Sequence, residues 1–183
     1  MEEPLINPWK TVDVTEVYDN PWIHVSHHNV LNPSGGKGIY GVISFKNRAI
    51  GIVVVDDNLD TYLVGQFRYT LNQFSWEIPE GGGPIDEEPL ETAKRELEEE
   101  TGLTAKSWTL LGPIHTSNSV TDESGFIFLA RNLGQGISNL EETEDIQVWK
   151  LPLSEAVRMV ESGKITDSLS MTGILMAARK LGI

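Results

Sequence analysis

The sequence predicts an α+β fold in which helices pack over a mixed β-sheet as a sandwich. Strand-like alternation dominates the first 75 residues, and helical periodicity first appears in mid-chain, over residues 87–101. At about 150 residues per domain, the 183 residues correspond to a single domain. Apolar residues make up 39% of the chain and charged residues 22%, which is typical of globular domains and not of disordered chains.

Five strands are predicted before residue 75. Two of them alternate in polarity, the third follows a glycine-rich turn, and the fifth follows the turn at Asp57-Asn58. The fourth is a continuous β-branched run, typical of a strand covered on both faces. The predicted strands are Thr11–Asp19, Trp22–Leu31, Ile39–Phe45, Ala49–Val55 and Tyr62–Tyr69. Within the single domain we expect residues 1–45 to form an N-terminal strand segment and residues 46–183 to form the core.

A helix is predicted over residues 87–101, with Asp86 as its N-cap and Gly102 just after its end. Its apolar side recurs at helical spacing, through Leu90, Ala93, Leu97 and Thr101. Two more helices are predicted, one capped by Ser154 and one by Asp167 or Ser168. The remaining predicted elements are the strands Ser107–Leu111, Gly125–Ala130 and Ile146–Leu151 and the helices Ser154–Glu161 and Leu169–Lys180.

The formal charge of −13 is concentrated in two short segments. Residues 80–103 hold nine acids and two bases, and residues 141–145 hold four acids and no base, so these 29 residues account for −11 of the total. An acidic chain is disfavoured at nucleic acids and anionic membranes, and we expect it to bind neither. Paired acidic segments indicate divalent cations, although solvated faces are the usual meaning of charge runs.

Three carboxylates of the 87–101 helix, those of Glu96, Glu99 and Glu100, share a stripe about 100° wide beside the apolar face. Like charges at this spacing repel one another. Arg95 is placed to pair with Glu91 and Glu99, whereas Glu96 and Glu100 have no base three or four residues away. The missing partner is expected to be Mg²⁺ or Mn²⁺, which prefer oxygen ligands. Before the helix, Gly81-Gly82-Gly83-Pro84 is predicted to be a loop that approaches a ligand closely.

Nine positions of residues 81–103 match the box of the Nudix hydrolases. They are Gly81, Glu87, Arg95-Glu96-Leu97, Glu99-Glu100 and Gly102-Leu103, with five residues between the first two and seven before Arg95. The chain therefore resembles that family, which implies an α/β/α sandwich, a loop–helix–loop box and hydrolysis of nucleoside diphosphates linked to another moiety, with Mg²⁺ or Mn²⁺. We expect two or three ions in each site.

The resemblance also implies roles for individual residues. Glu96, Glu99 and Glu100 are expected to bind metal, together with the backbone carbonyl of Glu80, and Glu99 is also a candidate for catalysis. The positions of Gly81, Glu87, Arg95 and Gly102 are structural in the box.

The flanking segments resemble the branch of ADP-ribose and nucleoside-diphosphate-sugar pyrophosphatases. The matching segments are Asn20-Pro21-Trp22, Gln66-Phe67-Arg68-Tyr69 and Trp76–Gly81. The branch implies a homodimer formed through the N-terminal strands, with aromatic side chains stacked on the base. Trp22 and Trp9 are the candidates for stacking, with core or dimer packing as the alternative. Arg68 is a candidate for phosphate contact or for a structural ion pair, and Glu77 and Glu123 are candidates for substrate contact, with an ordinary turn carboxylate as the alternative for Glu123.

One segment differs from the sequence pattern of this branch, and a second segment agrees with it. ADP-ribose pyrophosphatases tend to have Ser-Pro-Gly after the box, but Ser117–Glu123 contains neither proline nor glycine, which leaves room for nucleotide-linked hexoses. Residues 141–146 resemble the acidic loop that supplies the catalytic base. Glu142 is expected to be the catalytic base, and Glu144 is expected to be a second base or an extra metal ligand. The sequence does not decide which of Glu141, Glu142 and Glu144 is the base. The alternative is that this segment is an ordinary surface loop.

The predicted function is hydrolysis of nucleoside diphosphate sugars to a nucleoside monophosphate and a sugar phosphate. The alternatives are a Nudix hydrolase for nucleoside triphosphates or dinucleoside polyphosphates, and a nucleotide-binding module without catalysis. The chain has no cysteine and no apolar segment of membrane-spanning length, and its first residues lack the pattern of a signal peptide. We therefore expect a cytoplasmic enzyme.

Overall fold

The computed structural model describes residues 6–139 and 145–183, which divide into two compact units. The first unit contains the chain up to Asn47 together with Ser117–Glu123, and the second contains Arg48–Thr116 and Ser124–Ile183. The predicted boundary between residues 45 and 46 stays a prediction, because this division also assigns a later segment to the first unit.

The first unit is built on a three-stranded antiparallel sheet in the order β1-β2-β3. Its strands are β1 (Lys10–Asp19), β2 (Ile23–Leu31) and β3 (Lys37–Phe45). The turn between β1 and β2 forms because the Asn20 side-chain oxygen accepts hydrogen bonds from the backbone N–H groups of Trp22 at 2.9 Å and Ile23 at 2.8 Å. Every residue of β1 is exposed, which leaves the apolar side chains of this strand uncovered within the unit.

The second unit contains two sheets. A four-stranded sheet in the order β7-β4-β9-β8 is mixed, because β4 pairs with β9 in parallel and β8 pairs with β9 antiparallel. A three-stranded antiparallel sheet has the order β10-β5-β6. The strands are β4 (Asn47–Val54), β5 (Asp60–Arg68), β6 (Gln73–Glu77), β7 (Glu80–Pro84), β8 (Leu103–His115), β9 (Ser124–Gln135) and β10 (Gln147–Pro152).

Helices cover both faces of the four-stranded sheet, and this confirms the predicted sandwich. Alternate side chains of β4 enter two separate apolar clusters: Ile50 and Ile52 pack with Leu97 of α1, while Val53 packs with Ile174 of α3. A continuous β-branched run is stable here because both faces of the strand are buried. The helices are α1 (Pro89–Thr101), α2 (Leu153–Glu161) and α3 (Ser168–Leu181).

Two predicted helix caps are wrong. Helix α1 is capped by Glu88 instead of Asp86, because Pro89 occupies its first turn and disfavours helical backbone in the residue before it. Helix α2 is capped by Pro152 instead of Ser154, since the fully buried Leu153 already belongs to its first turn. Asp167 caps α3 as predicted, through a hydrogen bond from the N–H of Ser170 to its side chain.

Strands β6 and β7 were not predicted. The three glycines of β7 indicate a loop by composition, yet this segment pairs at the edge of the four-stranded sheet. Within the described ranges, no helix is long and apolar enough to cross a membrane.

Candidate functional site

The site is built on α1 and on strand β7, which precedes it. Helix α1 begins with Pro89 in its first turn and ends at Gly102, whose φ of 67° is the left-handed conformation expected of a glycine at this place. Its buried face contains two carboxylates among apolar side chains: Glu96 is 7% exposed and Glu100 is 2% exposed. Two acidic side chains so deeply buried on one helix face need partners inside the protein.

Arg95 is a partner of both neighbouring box carboxylates. Its Nη2 lies 2.8 Å from Glu96 Oε1, and its Nη1 lies 2.7 Å from Glu99 Oε2. The Arg95–Glu99 pair was predicted, but the expected Arg95–Glu91 pair was wrong, because Glu91 pairs with Lys94 at 2.7 Å. Helical spacing misses the Arg95–Glu96 pair because these residues are adjacent.

Glu100 is connected to the first residue of β7. Its Oε2 accepts a hydrogen bond from the backbone N–H of Glu80 at 2.9 Å. The Glu80 side chain is itself largely buried: Oε1 lies 2.9 Å from Arg68 Nη2, and Oε2 has no hydrogen-bond partner among the described residues. Burial raises the pKa of Glu80 well above its usual range, and the negative charges of Asp167 and Glu77 add to this effect.

Gly81 faces the carboxylate of Glu96 without any intervening side chain. A Cβ built on Gly81 would lie 2.1 Å from Glu96 Cδ and 2.3 Å from its Oε1. At Gly83 a Cβ would lie 2.2 Å from the hydroxyl oxygen of Thr92, which donates a hydrogen bond to Glu87 at 2.7 Å. These glycines therefore let the β7 backbone approach the helix closely. The hydrogen bond from Thr92 joins Glu87 to the helix, and the structural role of Glu87 stays a prediction.

The side chains of this site fit a hard divalent cation. The buried oxygens of Glu96, beside Gly81, and of Glu100, beside the Glu80 backbone, are ligands of the kind that Mg²⁺ and Mn²⁺ select. No group of three or more acidic, cysteine or histidine side chains is already arranged around a metal position in residues 6–139 and 145–183. A cation that bound Glu96 or Glu99 would have to compete with Arg95 for them.

Arg68 and Glu77 contact each other. The guanidinium of Arg68 donates from Nε and Nη2 to the Glu77 carboxylate, which is 3% exposed, and from Nη2 to Glu80. Burial alone would lower the pKa of Arg68, but the hydrogen bond and charge of Glu77, with the charges of Glu80 and Asp167, raise it. The alternative of a structural ion pair for Arg68 therefore has direct support, and its phosphate contact stays a prediction.

The remaining predicted residues lie elsewhere in the described chain or outside it. Trp22 is 66% exposed and Trp9 packs edge-on against Tyr40, with ring centroids 5.5 Å apart. Both belong to the first unit, as does Glu123. Glu141, Glu142 and Glu144 lie outside the described residues. The roles of all these residues stay predictions.

Sequence reasoning missed the contacts that flank the box. Ser138 Oγ donates to the backbone carbonyl of Glu99 at 2.8 Å, and the N–H of Asn139 donates to the same carbonyl at 3.1 Å. Ser170 Oγ accepts a hydrogen bond from the N–H of Ile78 at 2.9 Å. These serines are far from the box in the sequence, and no local motif marks them.

Known proteins resemble the chain over most of its length. The NUDIX domain matches residues 45–168, and the nucleoside diphosphate sugar hydrolase N-terminal domain matches residues 9–43. The chain is 37% identical to an ADP-ribose pyrophosphatase of Mycobacterium tuberculosis, over 91% of this chain and 82% of that protein. It is 33% identical to an ADP-ribose pyrophosphatase of Bacillus subtilis, over 87% of this chain and 86% of that protein.

A solved structure supports the fold. The crystal structure of an ADP compounds hydrolase superimposes with a TM-score of 0.87 and covers 98% of this chain and 97% of its own chain, at 18% sequence identity. At this identity the similarity establishes a shared architecture, in agreement with the predicted α+β sandwich.

Proposed function

The chain belongs to the NUDIX domain family, and from this premise we propose that it hydrolyses the diphosphate bond of nucleoside diphosphate sugars, either ADP-ribose or a nucleotide-linked hexose. The products are a nucleoside monophosphate and a sugar phosphate. The N-terminal match and the two ADP-ribose pyrophosphatases among the relatives support this substrate class. At the site, the supporting observation is the pair of buried carboxylates Glu96 and Glu100 beside the Gly81 backbone.

Enzymes of this family generally need a divalent metal. We propose Mg²⁺ or Mn²⁺, with two or three ions in each site, bound by the carboxylates of Glu96, Glu99 and Glu100 and the backbone carbonyl of Glu80. When bound, such cations offset the charge of a diphosphate and acidify a water molecule. The protein contributes the position of its oxygens: Arg95 orients Glu96 and Glu99, and the Glu80 N–H orients Glu100.

We assign proton removal from the attacking water to Glu142, with Glu144 as a second base or an extra ligand. Glu99 belongs to the same catalytic group. Support comes from the chain just before this segment, since Ser138 and Asn139 are both hydrogen-bonded to the backbone carbonyl of Glu99. The described residues that precede the acidic segment therefore lie beside the end of the helix that carries the proposed ligands.

Contacts with the substrate are also proposed, each argued from the residue itself. Arg68 is assigned to the diphosphate, because its Nη1 makes no hydrogen bond within the described ranges and a guanidinium matches phosphate oxygens. Glu77 would act through Arg68, which it holds. Trp22 or Trp9 is assigned to stacking on the base, supported by the exposure of both side chains, and Glu123 is a further contact.

We also propose that the enzyme is a homodimer formed through the N-terminal strands. The support is the apolar surface of β1, where Val12, Val14, Val17 and Tyr18 are each more than half exposed. Exposed apolar patches of this kind mark interfaces in many proteins. Light scattering coupled to size-exclusion chromatography tests the proposal, and a mass near 20.3 kDa at all concentrations would contradict it.

The metal assignment is tested by Glu96→Gln and Glu100→Gln. Each substitution keeps the shape of the side chain and removes the charge, and we expect kcat on ADP-ribose to fall by about 100-fold or more at saturating Mg²⁺. Glu91→Gln on the exposed side of the same helix is the matched control and should keep wild-type turnover. Wild-type kcat in the Glu96 variant would refute the assignment.

A further inference from the structure

The segment that leads into Gly81 is held at each of its residues by a different part of the second unit. Because its last residue, Glu80, supplies a proposed metal ligand, the position of the whole segment matters for the site. The contacts are Glu77 with Arg68 of β5, the Ile78 N–H with Ser170 of α3, the Pro79 carbonyl with the Ile52 N–H of β4, and the Glu80 N–H with Glu100 of α1.

Ser170 connects the C-terminal helix to this segment. Its Oγ accepts the Ile78 N–H at 2.9 Å, and neither residue is exposed to solvent. The backbone N–H of Ser170 donates to the Asp167 carboxylate at 2.7 Å, which fixes the first turn of α3. Since water does not reach the Ile78 N–H, loss of the serine hydroxyl would leave this donor without a partner.

The side chain of Ile78 is confined as tightly as its backbone. Its Cδ1 lies 2.9 Å from the position that a Cβ of Gly51 would occupy and 3.2 Å from that of Gly173. A Cβ at either position, on β4 or on α3, would therefore crowd the end of the Ile78 side chain. Helix α3 thus contacts the segment through a hydrogen bond and through close packing, and both involve Ile78.

We propose that Ser170 is a positioning residue for the divalent-cation site, acting through the Ile78 peptide on the backbone carbonyl of Glu80. This inference rests on the proposed function, since it takes that carbonyl as a metal ligand. Ser170 is hydrogen-bonded to Ile78, which lies two residues before the proposed ligand Glu80. In the sequence, Ser170 and Glu80 are 90 positions apart. Residues that orient metal ligands in this way commonly change metal affinity by about 10–100-fold when they are replaced.

The test is direct titration of the full-length protein with Mn²⁺, in which free Mn²⁺ is measured by electron paramagnetic resonance without any substrate. Ser170→Ala should raise the Kd for Mn²⁺ by about tenfold, and Ser170→Thr, which keeps a hydroxyl, should restore it toward the wild-type value. Ile174→Val is the matched control, because it removes one buried methyl group from the same helix and keeps the hydrogen bond between Ser170 and Ile78. It should lower Tm and leave the Kd unchanged.

Two results would overturn the inference: wild-type Mn²⁺ affinity in Ser170→Ala, or an equal loss of affinity in Ile174→Val at a comparable fall in Tm. If the alanine variant does not fold, Ser170→Cys replaces it, since sulfur keeps the size of the side chain and accepts hydrogen bonds weakly. Glu96→Gln separates this inference from the proposed function. Unchanged Mn²⁺ binding in that variant would refute the metal site itself, whereas a loss there without a loss in Ser170→Ala refutes only the role of Ser170.

Discussion

Gly81→Ala is expected to separate catalysis from stability in this enzyme. The added methyl group would lie 2.1 Å from the carboxyl carbon of Glu96, whereas ordinary contact begins at 3.4 Å. The carboxylate must therefore retreat by roughly 1.3 Å from its place beside β7. The backbone itself tolerates alanine, because Gly81 is not among the glycines with positive φ within the described ranges.

The expected magnitudes differ for activity and for stability. A displacement of about 1 Å at a catalytic site can cost about 100-fold in rate, so we expect kcat to fall by about that factor. The carboxylate is the far end of a flexible side chain and can shift more readily than backbone atoms could, while alanine restricts the unfolded chain. The free energy of unfolding should therefore change by no more than about 1 kcal/mol.

Steady-state kinetics with ADP-ribose and Mg²⁺, together with urea denaturation, measure the two quantities. Gly112→Ala is the matched control, because its added methyl group would meet only the end of the Met176 side chain, at 3.5 Å. This variant should keep both activity and stability. Wild-type kcat in Gly81→Ala would refute the reasoning, and so would a loss of activity that merely follows a loss of folded protein.

Three further predictions concern two residues around the site and one in the turn between β4 and β5. Thr92→Val removes the hydrogen bond to Glu87 and should cost about 1 kcal/mol of stability in urea denaturation; unchanged stability would contradict the structural role of this pair. Arg68→Ala leaves two buried carboxylates without their partner and should cost about 3 kcal/mol, whereas a role limited to phosphate binding would raise KM at unchanged stability. Burial alone would raise the pKa of Asp56, but hydrogen bonds from Lys150 and from two backbone N–H groups lower it below the ordinary 3.8. Since the folded pKa is the lower one, the stabilisation is present at neutral pH and is lost as the pH falls below about 3.8. The difference in stability between wild type and Asp56→Asn should therefore shrink between pH 7 and pH 3, and a constant difference would argue against this ion pair.

The elements that were predicted are those in which a hydrophobic pattern extends over several residues and whose faces are buried. The run at Ala49–Val55 indicated a strand covered on both sides, and alternate residues of β4 do enter separate apolar clusters. Strands that form because they pair with a neighbouring strand, without a hydrophobic pattern of their own, were not predicted. Strand β7 is glycine-rich because α1 approaches it closely, and composition alone cannot separate that requirement from a loop.

Positions of site residues could be predicted where they follow from the spacing of residues along one helix. They could not be predicted where they depend on contacts between residues far apart in the sequence. The box indicated that Glu96 and Glu100 share one helix face, and both are buried there. The ion pair between Arg95 and Glu96 was missed because adjacent residues seldom face each other on a helix. Ser170 was missed for another reason: its partner Ile78 lies 92 positions earlier, and only the folded chain brings the two together.

The central claim is that this chain cleaves the diphosphate of a nucleoside diphosphate sugar and needs a divalent cation to do so. Chromatographic analysis of the products formed from ADP-ribose, nucleotide-linked hexoses and nucleoside triphosphates tests it most directly, with Mg²⁺ and with excess chelator. We predict a nucleoside monophosphate and a sugar phosphate in equal amounts from at least one nucleotide sugar, and no turnover with chelator. Cleavage of triphosphates alone, or turnover that persists without a divalent cation, would contradict the account.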